Sequence, residues 1–294
     1  MDSVKLKQFV ALAETLHFGE ASRRCHVSPS TLSRCITQLE QELHITLFNR
    51  DNRTVTITEA GKQLLTFAKD SLMHWQALKQ SFAATRDQLK GALSFYCSVT
   101  ASYSFLYEVL KDFRRQHPLV EIRLHTGDPA QAIERVTSGQ EDISIAARQD
   151  LMPKEVQFKR MTFSPLVLIQ PAELAETFPS SRKDPSYWHT VPFILSERGV
   201  ARERIDAWFK KSKISPNIYA QVAGHEAIVS MVSLGFGVGL IPQIVLENSP
   251  LANKVKPVAE QPSFRPYEVG LCVLEKRLKN PLVKAFWEQA PTHS

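Results

Sequence analysis

Cysteine, long apolar runs and the usual catalytic signatures are all scarce in this chain of 294 residues. Its four cysteines, Cys25, Cys35, Cys97 and Cys272, form no CxxC pair and no spacing that suits a metal. They read as free, mostly buried thiols of a reducing compartment rather than a disulfide framework. No apolar run reaches the roughly 18–20 residues that cross a bilayer. The opening MDSVKLKQFVALAE has neither the apolar stretch nor the cleavage site of a secretory leader. These absences lead us to expect a cytoplasmic protein with no membrane partner. A G-x-S-x-G nucleophile elbow is missing. His225-Glu226 begins like a zinc-protease motif, but Val229 stands where the second histidine would be. GFGVG, Gly235 to Gly239, follows a helical pattern and precedes a strand, the reverse of a phosphate loop, so close packing at a turn explains it better. We therefore expect no enzyme, no catalytic residue, no metal and no cofactor.

Acidic residues are missing from one short region. Residues 21 to 39 carry Arg23, Arg24 and Arg34 and no acid, with Glu20 and Glu40 just outside. Arg50 and Arg53 follow, separated by a single acid, Asp51. The chain as a whole is only mildly basic, with 36 Lys and Arg against 30 Asp and Glu. An acidic partner is permitted by the total and suggested by the focus.

That region has the pattern of three short helices and a hairpin. Leu6, Phe9, Val10 and Ala13 recur at helical spacing, as do Phe18, Ala21, Ser22 and Cys25. In VSPSTLSRCITQLEQEL, Ser28 suits an N-cap and Pro29 the first helical position. Leu32, Ile36, Leu39 and Leu43 form the stripe expected to be buried, leaving Ser30, Thr31, Arg34, Thr37, Gln38 and Gln41 outward. Ser and Thr are mediocre helix formers, so their crowding at this start asks for a reason other than helix stability. A polar second helix after a short turn fits a major groove, where hydroxyls and Arg read base edges. LFNRDNRTVTIT then reads as a hairpin turning at Asp51-Asn52.

From Thr58 to Lys90 there is no proline and one glycine, Gly61. Leu64, Ala68, Ser71, Trp75, Leu78 and Phe82 follow heptad spacing. Such a helix is too long for the small domain before it, and its apolar side is expected to pair with a second chain. After Gly91 strands and helices alternate in two runs, ALSFYC to DISIAA and PLVLI to VGLIP, which argues for open α/β sheets in two lobes. The stretch from Pro250 to Pro266 reads as a return crossover, with YEVGLCVL and the last helix rejoining the first lobe.

The stretches FGEASRRCHVS, STLSRCITQLEQELHITLFNR and RTVTITEAG resemble the winged helix-turn-helix of LysR-type transcriptional regulators, and the long helix and α/β remainder match that family end to end. The resemblance implies an all-α winged helix-turn-helix over 1–58, a linker and dimerisation helix over 59–90, and a two-lobed, periplasmic-binding-protein-like effector domain over 91–294. Lobe I would comprise about 91–161 and 267–294, and lobe II about 162–266. It implies operator DNA, RNA polymerase and a second copy as partners, with a tetramer as the expected assembly. By position, DNA contacts fall to Pro29, Ser30, Thr31, Ser33 and Arg34, with Thr37 and Gln38 on the same face and Arg50 and Arg53 on the wing. Cys35 stands where the family usually has Gln, and a small packing role suits it.

Within the family, HVSPSTLSR, RDNRTVTITEAG, CSVTASYS, GHEAIVSMVSLGFGVGLIP and VLENSP are most similar to an activator of branched-chain amino-acid synthesis. Its implied effector is a small inducer, acetolactate or acetohydroxybutyrate. Strand ends beside helix starts are the usual anion sites of such sheets. Ser98, Thr100, Ser102, Thr126, Asp128, Arg148, Ser196, Glu197, His225 and Glu226 hold those positions and are the expected effector contacts. Another small carboxylate, or redox sensing through Cys97, is the alternative.

Overall fold

Asp2 starts the first helix by accepting the amides of Val4 and Lys5 at 2.9 and 2.8 Å. The computed structural model describes residues 2–50, 54–84, 89–173, 187–259 and 261–291. They fall into two units, Met1–Arg86 and Asp87–Ser294.

In the first unit, α1 (Ser3–Thr15), α2 (Phe18–Arg24) and α3 (Pro29–Leu43) precede an antiparallel hairpin of β1 (Phe48–Arg50) and β2 (Val55–Ile57), and α4 (Glu59–Ala84) follows. Phe9, Leu12, Ala21, Leu32, Ile36, Leu39, Leu47 and Phe48 form one core, with the Phe9 and Phe48 rings 5.5 Å apart. Cys35 is buried on α3, in keeping with a packing role. Leu43 departs from its expected burial. It lies in the last turn of α3, beyond the edge of this small core, and is 40% exposed. The expected heptad seam also divides. Ala68 belongs to the unit's own core and Leu64 packs against it, whereas Trp75 and Leu78 are exposed, as is Phe67 outside the seam. The side chain of Phe82 and the turn residues Asp51, Asn52 and Arg53 lie outside the described residues.

The second unit holds β3 (Gly91–Cys97), α5 (Val99–Ser104), α6 (Leu106–Gln116), β4 (Val120–Thr126), α7 (Ala132–Thr137), β5 (Ile143–Ala147) and β6 (Val156–Ser164). It continues with β7 (Leu166–Pro171), α8 (Tyr187–Thr190), β8 (Pro192–Ser196), α9 (Val200–Lys211), β9 (Asn217–Val222), α10 (His225–Ser233), β10 (Val238–Pro242) and α11 (Gln243–Glu247). β11 (Val255–Pro257), β12 (Tyr267–Leu274) and α12 (Pro281–Gln289) complete it. One five-stranded sheet has the order β4-β3-β5-β12-β6 and the other β11-β7-β10-β8-β9. The chain crosses between them at Pro165 and returns after Pro257. β6 and β11 went unnoticed in the sequence: β6 mixes apolar with charged residues, and β11 is three residues within a proline-bearing stretch. Two helices, α5 and α6, rather than one connect β3 to β4.

β3 lies between parallel β4 and β5, and β8 between parallel β9 and β10. Both triplets send their carboxyl ends, and the loops after them, toward one cavity. This is where open α/β sheets place ligands. Among the described residues no helix is long and apolar enough to cross a membrane, and no cluster of His, Cys, Asp or Glu could hold a metal ion.

Candidate nucleic-acid interface and effector cavity

Ser28 organises the start of α3. Its hydroxyl accepts the Thr31 amide at 3.1 Å and lies 2.9 Å from the Ser30 hydroxyl and 2.8 Å from that of Thr31. Pro29, Ser30, Thr31, Arg34, Thr37 and Gln38 are exposed and Ser33 is half-buried. The flanking acids are neutralised. Glu20 pairs with Arg24 at 2.8 Å and Glu40 with Arg50 at 2.6 Å. Among the described residues, the polar face therefore presents hydroxyls, amides and Arg34 without a nearby uncompensated carboxylate. Arg50 does more than the wing role expected of it. Glu40 also accepts the Leu47 and Phe48 amides at 2.9 and 3.2 Å, and the Arg50 guanidinium sits 5.4 Å over the Phe18 ring. That arrangement ties the hairpin to α2 and α3. Arg53 lies outside the described residues.

In the second unit a cavity of about 70 Å³ lies between the lobes. A single water needs about 10–15 Å³ by the same measure, so the space suits a small organic acid. Ser98, Thr100, Asp128, Ser196 and His225 line it, as the strand-end reading expects. Five expected contacts do not. Ser102 turns back to donate to the Val99 carbonyl at 2.6 Å. Thr126 is exposed at the end of β4, two residues before Asp128, and Glu197 is exposed just past β8, between the lining Ser196 and Arg198. Arg148 pairs with Glu268 at 3.2 Å and borders a second pocket, with Arg204 and Arg265, that shares Gln149 with the first. Glu226 lies behind the wall, accepting the Thr100 amide at 2.9 Å and its hydroxyl at 2.7 Å.

Sequence reading missed Gln149, Arg198 and Tyr267, which line the cavity. Arg198 is two residues beyond Ser196, and the glycine after it, Gly199 at φ +95°, marks the turn that aims it. Tyr267 begins a strand that returns from the other lobe, so nothing local announces it.

Burial sets the charge states. Loss of hydration pulls His225 down to about 4, against the opposing pull of Glu226 and Asp128, so the imidazole is neutral at neutral pH. Its Nε2 lies 3.5 Å from the Tyr267 hydroxyl, which burial holds above its ordinary range. Burial alone would raise Glu226, but the two bonds from Thr100, together with its own backbone amide and His225, keep the carboxyl below its usual value. Asp128 pairs with Arg198 across the cavity at 3.5 Å.

Burial pushes Cys97 up to about 12, helped by Glu226, which leaves the thiol protonated and a poor nucleophile. Cys272 is likewise buried and raised to about 12. Tyr96, Ser144 and Cys272 stand opposite one another on neighbouring strands and share a face. Cys97, next to Tyr96, points to the other face, so the two thiols cannot meet without unmaking the sheet.

Residues 4–62 match the bacterial regulatory helix-turn-helix of the lysR family, and residues 86–294 match the LysR substrate binding domain. The HTH-type transcriptional regulator IlvY of Escherichia coli (strain K12) is 47% identical over 296 residues, covering 100% of both chains. The HTH-type transcriptional activator IlvY of Haemophilus influenzae is 42% identical over 288 residues, 98% of this chain and 99% of that one. Among solved structures, a full-length OxyR variant from Pseudomonas aeruginosa superposes with a TM-score of 0.71 at 21% identity, covering 99% of this chain and 94% of that one. Full-length CbnR in complex with its target DNA gives 0.64 at 21% identity over 99% of each. These structural likenesses show the fold. With both domain matches and the full-length identity to IlvY, the chain belongs to the LysR family of helix-turn-helix transcriptional regulators.

Proposed function

We propose that this regulator activates a gene of isoleucine and valine synthesis, acting in the cytoplasm on operator DNA in answer to an acetohydroxy acid. The observation that carries the reading is the 47% identity to IlvY along the whole of both chains. The polar, acid-free face of α3 supports readout through Pro29, Ser30, Thr31, Ser33, Arg34, Thr37 and Gln38, with Arg50 and Arg53 on phosphates. The exposed Phe67, Trp75 and Leu78 of α4 support assembly of copies, as a dimer or tetramer that spans two half-sites and meets RNA polymerase. The cavity supports a small effector with a carboxylate, a hydroxyl and a ketone, for which Ser98, Thr100, Asp128, Ser196 and His225 provide polar partners. A different small carboxylate is the second reading, since the cavity size admits one.

Calorimetry with acetolactate and 2-aceto-2-hydroxybutyrate, against a panel of other 2-hydroxy and 2-oxo acids, tests the effector. Heat from the panel but from neither named compound would move the reading to another carboxylate. For DNA, Arg34→Ala should relax base preference at one position by about 1–3 kcal/mol. Arg53→Ala should weaken binding at all sequences and reduce the salt slope by about 1. A promoter footprint unchanged by either variant would refute the assigned readout.

A further inference from the structure

We propose that Arg198 receives the effector's carboxylate, displacing Asp128, which then accepts the effector's hydroxyl. The inference rests on the reading above, that the effector is a small hydroxylated oxo acid.

A carboxylate entering a largely buried cavity needs a cation or free N–H donors. The start of α5 is the obvious place, and it is already occupied from within. Glu226 takes the Thr100 amide and hydroxyl, and the Ser98 hydroxyl takes the Ala101 amide at 3.2 Å. His225 is neutral and offers no charge. Arg202 on α9 is engaged by Asp206 at 2.8 and 3.0 Å and by the Ser196 carbonyl at 3.1 Å. Among the described residues Arg198 is the charged cation that lines the cavity.

Its pairing with Asp128 is unequal. Asp128 is 10% exposed and held in place: one carboxylate oxygen accepts the Ala130 amide at 3.0 Å, and its carbonyl accepts the Tyr96 hydroxyl at 3.1 Å. Arg198 is 54% exposed on the loop before α9, so its long side chain can swing. The 3.5 Å separation is loose beside the roughly 2.7–2.9 Å of a strong charge-assisted bond. A ligand carboxylate can match the guanidinium fork bidentately and exchange for Asp128 without a covalent step. Asp128 lies in lobe I and Arg198 in lobe II, so the effector would replace a direct bridge with a bridge through itself. The exchange leaves a little-exposed carboxylate that needs a new donor, and the effector's hydroxyl supplies it. Acids without that hydroxyl would leave the Asp128 oxygen released by Arg198 without a donor, which is costly. Hydroxyketones without a carboxylate could not displace it.

The test is calorimetry on the full chain with three probes: acetolactate, acetoin (its decarboxylated form) and 3-methyl-2-oxobutanoate, which lacks the hydroxyl. Wild type should prefer acetolactate to both. Arg198→Gln should lose about 10- to 100-fold in acetolactate affinity and with it the preference over acetoin, as removal of a charged hydrogen-bond partner implies. Arg198→Lys should fall between. Asp128→Asn should narrow the gap between acetolactate and 3-methyl-2-oxobutanoate. Wild-type affinity in Arg198→Gln, with its preference over acetoin intact, would overturn this inference and leave the effector reading standing. No heat from wild type with acetolactate or 2-aceto-2-hydroxybutyrate would overturn both.

Discussion

The carboxylate of Glu226 on α10 reaches across the lobes to the first turn of α5, taking the Thr100 amide at 2.9 Å and its hydroxyl at 2.7 Å. Thr100 is 2% exposed, so both donors depend on this one partner. Glu226→Ala should cost about 1–3 kcal/mol of effector-domain stability by leaving them unpaired. The folded carboxyl sits below its ordinary 4.5. Its contribution is therefore present above about 4.5 and lost as pH falls through the lower folded value. Urea denaturation at pH 7 and at pH 4 should show a shallower acid loss for Glu226→Gln than for wild type.

His225 titrates with the opposite chemistry but the same pH direction. Burial lowers it from 6.5 to about 4, so the unfolded chain takes up a proton that the folded one refuses. Stability from this residue is complete above 6.5 and declines as pH falls toward 4, by on the order of 3 kcal/mol in all. Replacing His225 with Gln should flatten denaturation midpoints between pH 7 and pH 5. An unchanged slope in that window would refute the neutral, buried assignment.

Ser28 and Ser30 should separate cap from reader. Ser28→Ala removes the cap of α3 and should destabilise the helix-turn-helix by about 1 kcal/mol, read from its thermal midpoint. Ser30→Ala, exposed beside it, should stay within about 0.5 kcal/mol while altering DNA affinity. Equal stability losses in the two variants would contradict this division.

Cys97 should be inert in the folded protein. With its thiol pushed up to about 12, about one molecule in ten thousand is thiolate at pH 8. Iodoacetamide should label it only after urea is added, and hydrogen peroxide should leave operator binding unchanged. Rapid native labelling, mapped by mass spectrometry, would revive a redox role.

Much of the architecture was legible because its signals are local. The N-cap at Ser28, the buried Leu32, Ile36 and Leu39, and the hairpin strands follow from spacing and capping within a few residues. The limits appear where a pattern has two possible partners. Leu64 and Ala68 have heptad spacing, but the helix-turn-helix core was close enough to take them. Leu43 has the right spacing and stands past the end of its core. For the cavity, strand-end logic reached loops that line it but not always the residue that faces it. Ser98, Asp128 and Ser196 line the wall, while Thr126 falls two residues before Asp128 and Glu197 sits between the lining Ser196 and Arg198.

The sequence alone determined the polar, acid-free face of α3, because helix periodicity, an N-cap and the exclusion of acids from residues 21 to 39 need no distant contact. Tertiary structure alone decided what the effector would meet. Thr100 and Glu226, or Asp128 and Arg198, stand on different lobes and far apart in the chain, and their pairing depends on two sheets bringing their strand ends together. That closure made Glu226 an internal anion at the start of α5 and left Arg198, a residue no motif singles out, as the charged cation lining the cavity among the described residues.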